Sequence, residues 1–304
     1  MTAVTCLAAA KVNLYLHLLG RRADGYHLVD SLVAFADIGD RLTARPGGAL
    51  SLEVAGTEAE ALAGESDNLV LRAARSLAEH AGVAAAAALH LEKNLPVAGG
   101  VGGGSADAAA ALRTLRRLWR IEIDDAALAQ LGERLGADIP VCVFGKAAWV
   151  AGIGERIEFA PPLPPAGILL VNPRRRLPTA AVFNARGGEF GSAAGRPSRS
   201  PSDTAALAAV LAPLRNDLTA AAMSFVPEID RILNTLGQLS GALIARMSGS
   251  GATCFALFRD RATARRAQLE LAALEPGWWC AAGSLTTGSE AGDATVIRIA
   301  SRRR

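Results

Sequence analysis

Apolar and polar side chains alternate near the start of the chain: Val12, Leu14, Leu16 and Leu18 interleave with Asn13, Tyr15 and His17. A period of two sends successive side chains to opposite faces and predicts a strand over residues 2–20. Asp24-Gly25 marks a turn, with further strands expected near 28–37, 41–46 and 50–55. Asp67 suits the N-cap of a helix over about 68–81 that stops at Gly82, and a strand follows near 86–92. The alanine- and leucine-rich stretch from Ser105 to Trp119 predicts a helix. Another, capped by Asp124 or Asp125, runs to Gly136. Strands near 146–150 and 155–159 flank Gly152-Ile153-Gly154 as a hairpin. After the proline run Pro161–Pro165, strands are expected at 167–172, 242–247 and 253–258, with short ones near 278–282 and 295–299. Helices fit 179–185, 203–212, 217–237 (interrupted near Pro227) and 260–273.

Strands mixed with helices, some joined by tight turns, point to an α+β design rather than strict βαβ alternation. The prolines at 161–165 stiffen the backbone and make the best boundary, dividing the chain into 1–160 and 161–304. Residues 186–202, rich in Gly, Ser, Ala, Pro and Arg, read as a mobile loop.

Composition narrows the function. The 304 residues are 51% hydrophobic and 20% charged, which excludes a chain-wide disordered protein. The net charge of +3 argues against a dedicated nucleic-acid binder. The basic tail Ser301–Arg304 reads as a frayed, solvated end. Four cysteines form no CxxC and four histidines form no HExxH, so neither a disulfide framework nor a zinc enzyme is expected. The N-terminus lacks a signal-peptide pattern, and the longest apolar run, Val83–Leu89, is too short to span a bilayer. The expectation is a cytoplasmic protein with no membrane or nucleic-acid partner.

Four segments bear on chemistry. Pro96-Val97-Ala98-Gly99-Gly100-Val101-Gly102-Gly103-Gly104-Ser105 is a dense glycine run directly before a helix. Bare backbone N–H groups and a helix N-terminus together suit a polyphosphate, although a flexible strand-to-helix turn would also read this way. It is neither a Walker A loop nor a dinucleotide fingerprint. Lys11 interrupts an apolar strand, which is expensive unless its ammonium reaches a partner. Asp138, in Gly136-Ala137-Asp138-Ile139-Pro140, follows a helix end, and Gly249-Ser250-Gly251-Ala252 joins two strands. Taken singly, these three also fit an exposed strand face, a turn carboxylate and a hairpin turn.

In chain order, Lys11, the loop Pro96–Ser105 and the turn Gly249–Ala252 resemble the pattern of the GHMP small-molecule kinase family. Further stretches are similar to the branch whose acceptor is a cytidine-diphosphate-linked methylerythritol. These are Ala10–Leu14, Arg22–His27, Gly136–Val141, Leu214–Leu218 and Met247–Ala252, with Asp24-Gly25-Tyr26-His27 the most discriminating. Val101 departs from the usual Leu or Ile, and Ala106-Asp107 from Ser-Asn. Asp107 reads as a first-turn acid favoured by the helix dipole, in preference to a metal contact.

The resemblance implies a two-domain fold with the active site in the cleft between the domains. It implies ATP and Mg²⁺, small-molecule substrates, a monomer or homodimer, and phosphorylation of the acceptor's 2-hydroxyl on the non-mevalonate route to isoprenoid precursors. On this reading Pro96, Val97, Ala98, Gly99, Gly100, Val101, Gly102, Gly103, Gly104, Ser105 and Ala106 grip the triphosphate. Asn68 and Leu69 border the adenine, and Ser105 is a possible metal contact. Asp138 orients the hydroxyl and takes its proton, while Lys11 offsets charge on the moving group. Tyr26 and His27 read the cytidine, Phe183 lines its pocket, Asn13 bonds the acceptor and Lys93 pairs with a phosphate. The rival readings are a sister kinase with another acceptor, a nucleotide-binding regulator without turnover, and an RNA-binding protein.

Overall fold

The structure, a computed structural model, describes residues 3–63, 67–197, 199–286 and 296–298. The basic tail Ser301–Arg304 lies outside these residues. Two long strands, β1 (Val4–Arg21) and β2 (His27–Arg45), form an antiparallel hairpin. Its turn is closed by Arg22 N–H on the Tyr26 carbonyl, and Gly25 takes a φ of +90°. β2 is continuous, where two strands were expected. The gap between the expected strands, 38–40, contains Gly39, whose missing side chain lets β1 cross closely, since a Cβ there would lie 2.3 Å from the Ala8 carbonyl oxygen.

β3 (Ser51–Ala55) runs parallel to β4 (Ala88–Glu92), separated from it in sequence by helix α1 (Leu69–Ala81). Asn68, not Asp67, caps α1, its side chain accepting from Val70 N–H at 2.9 Å. Helix α2 (Gly103–Leu118) begins two residues before the expected Ser105. It is followed by α3 (Asp125–Glu133), α4 (Ile139–Phe144) and the hairpin β5 (Ala148–Gly152)–β6 (Arg156–Phe159). β2 pairs with β5 along its first half and with β4 along its second. A tight alanine face, Ala106 and Ala108–Ala111, seats α2 in a core with Val33, Leu42, Leu77 and Val150.

A second, antiparallel sheet holds β7 (Gly167–Asn172), β8 (Ala242–Met247), β9 (Cys254–Phe258) and β10 (Trp279–Ser284), in the order β10-β7-β9-β8. Its central strands β7 and β9 are buried throughout and lack alternation because both of their faces are covered. Leu169, Val171, Ala256 and Phe258 pack with residues of α8 (Glu228–Gln238) and α9 (Arg261–Leu274). Ile168, Leu170, Phe255 and Leu257 meet Val12, Leu14, Leu32 and Ala34 of the first sheet. The strand β11 (Val296–Arg298) returns to pair with β6.

Between β7 and β8 lie α5 (Thr179–Ala185), α6 (Thr204–Leu211) and α7 (Thr219–Phe225), and Pro227 separates α7 from α8 as the sequence predicts. The stretch after α5, expected to be mobile, is pinned to the first sheet. Gly191 N–H donates to the Leu18 carbonyl, Ala194 N–H donates to Asp30 Oδ2, and Arg196 pairs with Asp30 and Glu158. Among the described residues no helix is long and apolar enough to cross a membrane.

Candidate active site

One cavity of about 960 Å³ gathers most of the candidate residues. Its walls include Lys11, Asn13, Tyr26, His27, Leu69, Ala98, Gly99, Gly100, Gly102–Ser105, Asp138, Phe183, Gly249 and Ser250. Lys11 and Asn13 stand two apart on β1, so both side chains reach the same side. The buried Lys11 ammonium lies 3.1 Å from Asp138 Oδ2 and donates to Asn13 Oδ1 at 3.2 Å. Asn13 is held in turn by its Nδ2 donating to Ser31 Oγ at 2.8 Å, and the Ser31 hydroxyl donates to the Tyr15 carbonyl. Asp138 occupies the N-cap of α4 without capping it, which leaves a half-exposed carboxylate free to meet a ligand.

The glycine loop surrounds this pair. Ala98, Gly100 and Gly102 all take positive φ, which glycine adopts without penalty and alanine does not. A Cβ on Gly102 would sit 3.1 Å from Lys11 Cε, so the bare residue is what lets the lysine pass. Gly102 caps α2 with no side-chain hydrogen bond; the first-turn N–H groups therefore have no capping side chain, at residues that line the cavity.

The turn Gly249–Ala252 locks onto this loop from the second sheet. Ser248 Oγ accepts from Asn13 N–H and donates to the Gly100 carbonyl, and Thr253 N–H donates to the Gly99 carbonyl. Asn216 Nδ2 donates to the carbonyls of Met247 and Gly249, while Leu16 N–H donates to the Arg215 carbonyl. The segment Leu214–Leu218 thereby ties β1 to the turn.

At the far end of the cavity His27 contacts Phe183, with ring centroids 5.5 Å apart, and Phe190 at 6.1 Å. Burial, then the nearby Arg21 and Arg186, lowers the His27 pKa below the usual imidazole value. A neutral ring offers one donor and one acceptor, as the edge of a pyrimidine does. Tyr26 stands exposed at the rim.

Six candidates lie elsewhere. Lys93 does not line the cavity; it is buried and pairs with Asp40 at 2.5 Å and Asp107 at 2.7 Å, which makes it a poor candidate for meeting a substrate phosphate. Asp107 is accordingly a buried partner of Lys93 in the second turn of α2 and not a solvated first-turn acid. Burial pushes its carboxyl up to about 7, with Lys93 pulling it down and Asp40 pushing it up. Asn68 lines a neighbouring cavity of about 440 Å³ with Leu52, Val54, Leu62 and Leu71. Val101 is core and accepts Lys11 N–H on its carbonyl. Ala106 N–H closes onto the Gly102 carbonyl, and neither Ala106, Pro96 nor Val97 lines the main cavity.

Sequence reasoning missed Ser31, Ser248 and Arg246, whose guanidinium donates to the carbonyls of Leu14, Leu211 and Leu214 behind β1. The signal for Arg246 was a lone cation in the apolar run Ala242–Met247.

Comparison with known proteins bears on this arrangement. The model of the GHMP kinases N terminal domain matches residues 68–146, and that of the GHMP kinases C terminal domain matches 198–276. A 4-diphosphocytidyl-2-C-methyl-D-erythritol kinase of Rhodospirillum rubrum is 52% identical over 91% of each chain. One of Paramagnetospirillum magneticum is 49% identical over 94% of this chain and 99% of its own. A crystal structure of a 4-(cytidine 5'-diphospho)-2C-methyl-D-erythritol kinase superposes with a TM-score of 0.77 at 35% identity, covering 92% of this chain and 98% of that one. A homoserine kinase from Cytophaga hutchinsonii, at 16% identity and a TM-score of 0.66 over 94% of this chain and 96% of its own, shares the fold. With both domain models matched and half of its residues shared along nearly its full length, the chain belongs to the GHMP kinases, in the branch of the 4-diphosphocytidyl-2-C-methyl-D-erythritol kinases.

Proposed function

We propose that this chain transfers the γ-phosphoryl group of ATP to the 2-hydroxyl of 4-diphosphocytidyl-2-C-methyl-D-erythritol, giving the 2-phosphate and ADP. The observation that carries this reading is the meeting, in one cavity, of a Lys11–Asp138 pair, a glycine loop at a helix N-terminus and a neutral histidine between aromatic rings.

The triphosphate lies along the loop, where backbone N–H groups and the α2 dipole offset its charge. Asp138 accepts the hydrogen bond of the acceptor hydroxyl and takes its proton as the new O–P bond forms and ADP departs. A carboxylate is a weak base towards an alcohol, so proton transfer is late and the main contribution is orientation. Lys11, held by Asn13, balances negative charge on the group in flight. Tyr26, His27 and Phe183 hold the cytidine by stacking and by the imidazole edge.

Mg²⁺ belongs to this reading. Among the described residues no three His, Cys, Asp or Glu side chains gather into a metal cage. A magnesium ion that takes most of its ligands from phosphates and water needs no such cage, and Ser105, which lines the cavity, would add one hydroxyl oxygen. The ion supplies charge neutralisation on the phosphate oxygens. A reducing cytoplasm suits the four free cysteines.

ADP release with the cytidylyl acceptor, compared with the same acceptor lacking cytidine, tests the assignment. Turnover is expected with the first and its near loss with the second; a preference for homoserine or mevalonate would favour the sister-kinase reading instead. In the same assay His27→Ala should raise the acceptor KM about tenfold, the cost of one missing hydrogen bond, and leave the ATP KM unchanged. Equal losses on both substrates would point to a folding defect.

A further inference from the structure

The glycine loop begins and ends on the same buried cluster of charge. Asp40 of β2, Lys93 at the end of β4 and Asp107 in the second turn of α2 are 0%, 2% and 3% exposed. The Lys93 ammonium donates to Asp40 Oδ2 at 2.5 Å and to Asp107 Oδ2 at 2.7 Å. The other oxygen of Asp40 accepts the N–H groups of Asn94 and Leu95, at 2.5 and 2.8 Å, the two residues that lead into Pro96. At the far end, a Cβ on Gly103 would lie 3.1 Å from Lys93 Nζ, so the ammonium sits directly under the start of α2. One lysine thus fastens the entry and the exit of residues 96–102.

Stability alone gives little reason for such a cluster. Three charges taken out of water lose hydration that their mutual attraction only roughly restores, and apolar side chains of similar size generally hold a core as well. What ionic contacts add is a single geometry. The loop needs that: glycine-rich chain is the most flexible backbone available, and a flexible loop must be ordered at the expense of binding energy each time a ligand arrives.

We propose that Asp40, Lys93 and Asp107 are positioning residues that hold the glycine loop in its nucleotide-binding shape before the nucleotide arrives. This rests on the loop being the ATP phosphate site, as read above. None of the three lines the cavity that holds Asp138, His27 and Phe183, so their effect reaches the site through the loop and should fall on one substrate.

The test measures ADP and acceptor binding by calorimetry, with KM and kcat for both substrates, on the full chain and two variants. Asp107→Asn keeps the shape and leaves the Lys93–Asp40 pair; it should weaken ADP binding about fivefold and raise the ATP KM to match. Acceptor affinity and kcat at saturating ATP should stay within twofold of the parent chain. Lys93→Met removes the fastening from both ends and should weaken ADP binding more than twentyfold with the same selectivity. If Lys93→Met does not fold, Asp107→Asn decides alone. A folded Asp107→Asn that binds ADP as the parent chain does overturns the proposal. So does equal weakening of both ligands, which is what a merely structural role gives. If the parent chain itself binds no ADP, the failure lies with the ATP assignment of the loop.

Discussion

Replacing Asp138 by asparagine is expected to lower kcat about 1,000-fold, within the range found for loss of a positioned proton acceptor, while ADP binds as before. The geometry separates chemistry from binding at this residue. The Asp138 carboxylate makes no capping bond to α4, so the helix keeps its start without it. The carboxylate is half exposed, but the buried Lys11 ammonium loses its counter-charge and keeps only the amide oxygens of the new asparagine and Asn13, so the melting temperature should fall modestly while the fold persists. Asparagine keeps the volume and one oxygen but cannot accept the hydroxyl proton. Lys11→Met should reach a similar loss of kcat by another route, leaving charge on the transferring group unbalanced and Asn13 Oδ1 without its donor. A coupled assay for ADP under saturating substrates, with calorimetry for ADP, checks both variants. Near-normal turnover in either would remove the role assigned to it.

The second large effect is expected at Gly100, which has no side chain to take part in proton transfer. Gly100→Ala should raise the ATP KM about 100-fold and lower Tm by about 5–10 °C. The residue sits at φ +77°, and an added Cβ would lie 2.6 Å from the carbonyl oxygens of both Gly251 and Ser248. The left-handed backbone costs an alanine about 1–2 kcal/mol, and the forced overlap about 1–3 kcal/mol more. Both obstacles are backbone, so no rotamer change relieves them. The loop and the turn must separate, taking the Ser248 bonds to Asn13 and Gly100 with them, and a shift of about 1 Å in a positioned group is enough for a loss of this size. Gly237→Ala in α8, where an added Cβ meets nothing within 4 Å, is the control and should leave the ATP KM unchanged and, as a helix glycine replaced by alanine, raise Tm slightly. Steady-state kinetics and thermal melts read the two variants. An unchanged ATP KM in Gly100→Ala would show that the interlock does not shape the nucleotide site.

Much of this site was legible because its chemistry is local. A glycine run ahead of a strong helix, a lysine inside an apolar strand and a carboxylate two positions before a proline are each visible in a few neighbouring residues, and their order along the chain is what made them resemble one family's site. What remained hidden was set by distant contacts. Lys93 looked like a phosphate ligand because sequence shows a cation beside the loop but not Asp40, 53 positions away, that neutralises it. The single strand β2 looked like two, 28–37 and 41–46, for the same reason, since the role of Gly39 between them depends on how closely β1 crosses. The residues around 186–202 looked loose because their anchors, Leu18, Asp30 and Glu158, belong to other strands. Ser31 carried no signal and Ser248 none beyond its place in the Met247–Ala252 stretch, both being small hydroxyl residues that matter through their partners across the fold.

The lock between Gly99-Gly100 and Ser248–Thr253 also governs when the site comes into being. A ribosome making this chain releases the glycine segment well before residues 248–253 leave the exit tunnel. During that interval the nascent segment has the freedom of glycine and none of the carbonyl and hydroxyl anchors that later restrain it. Catalytic competence therefore arrives late in translation, only once the last third of the polypeptide has emerged and paired.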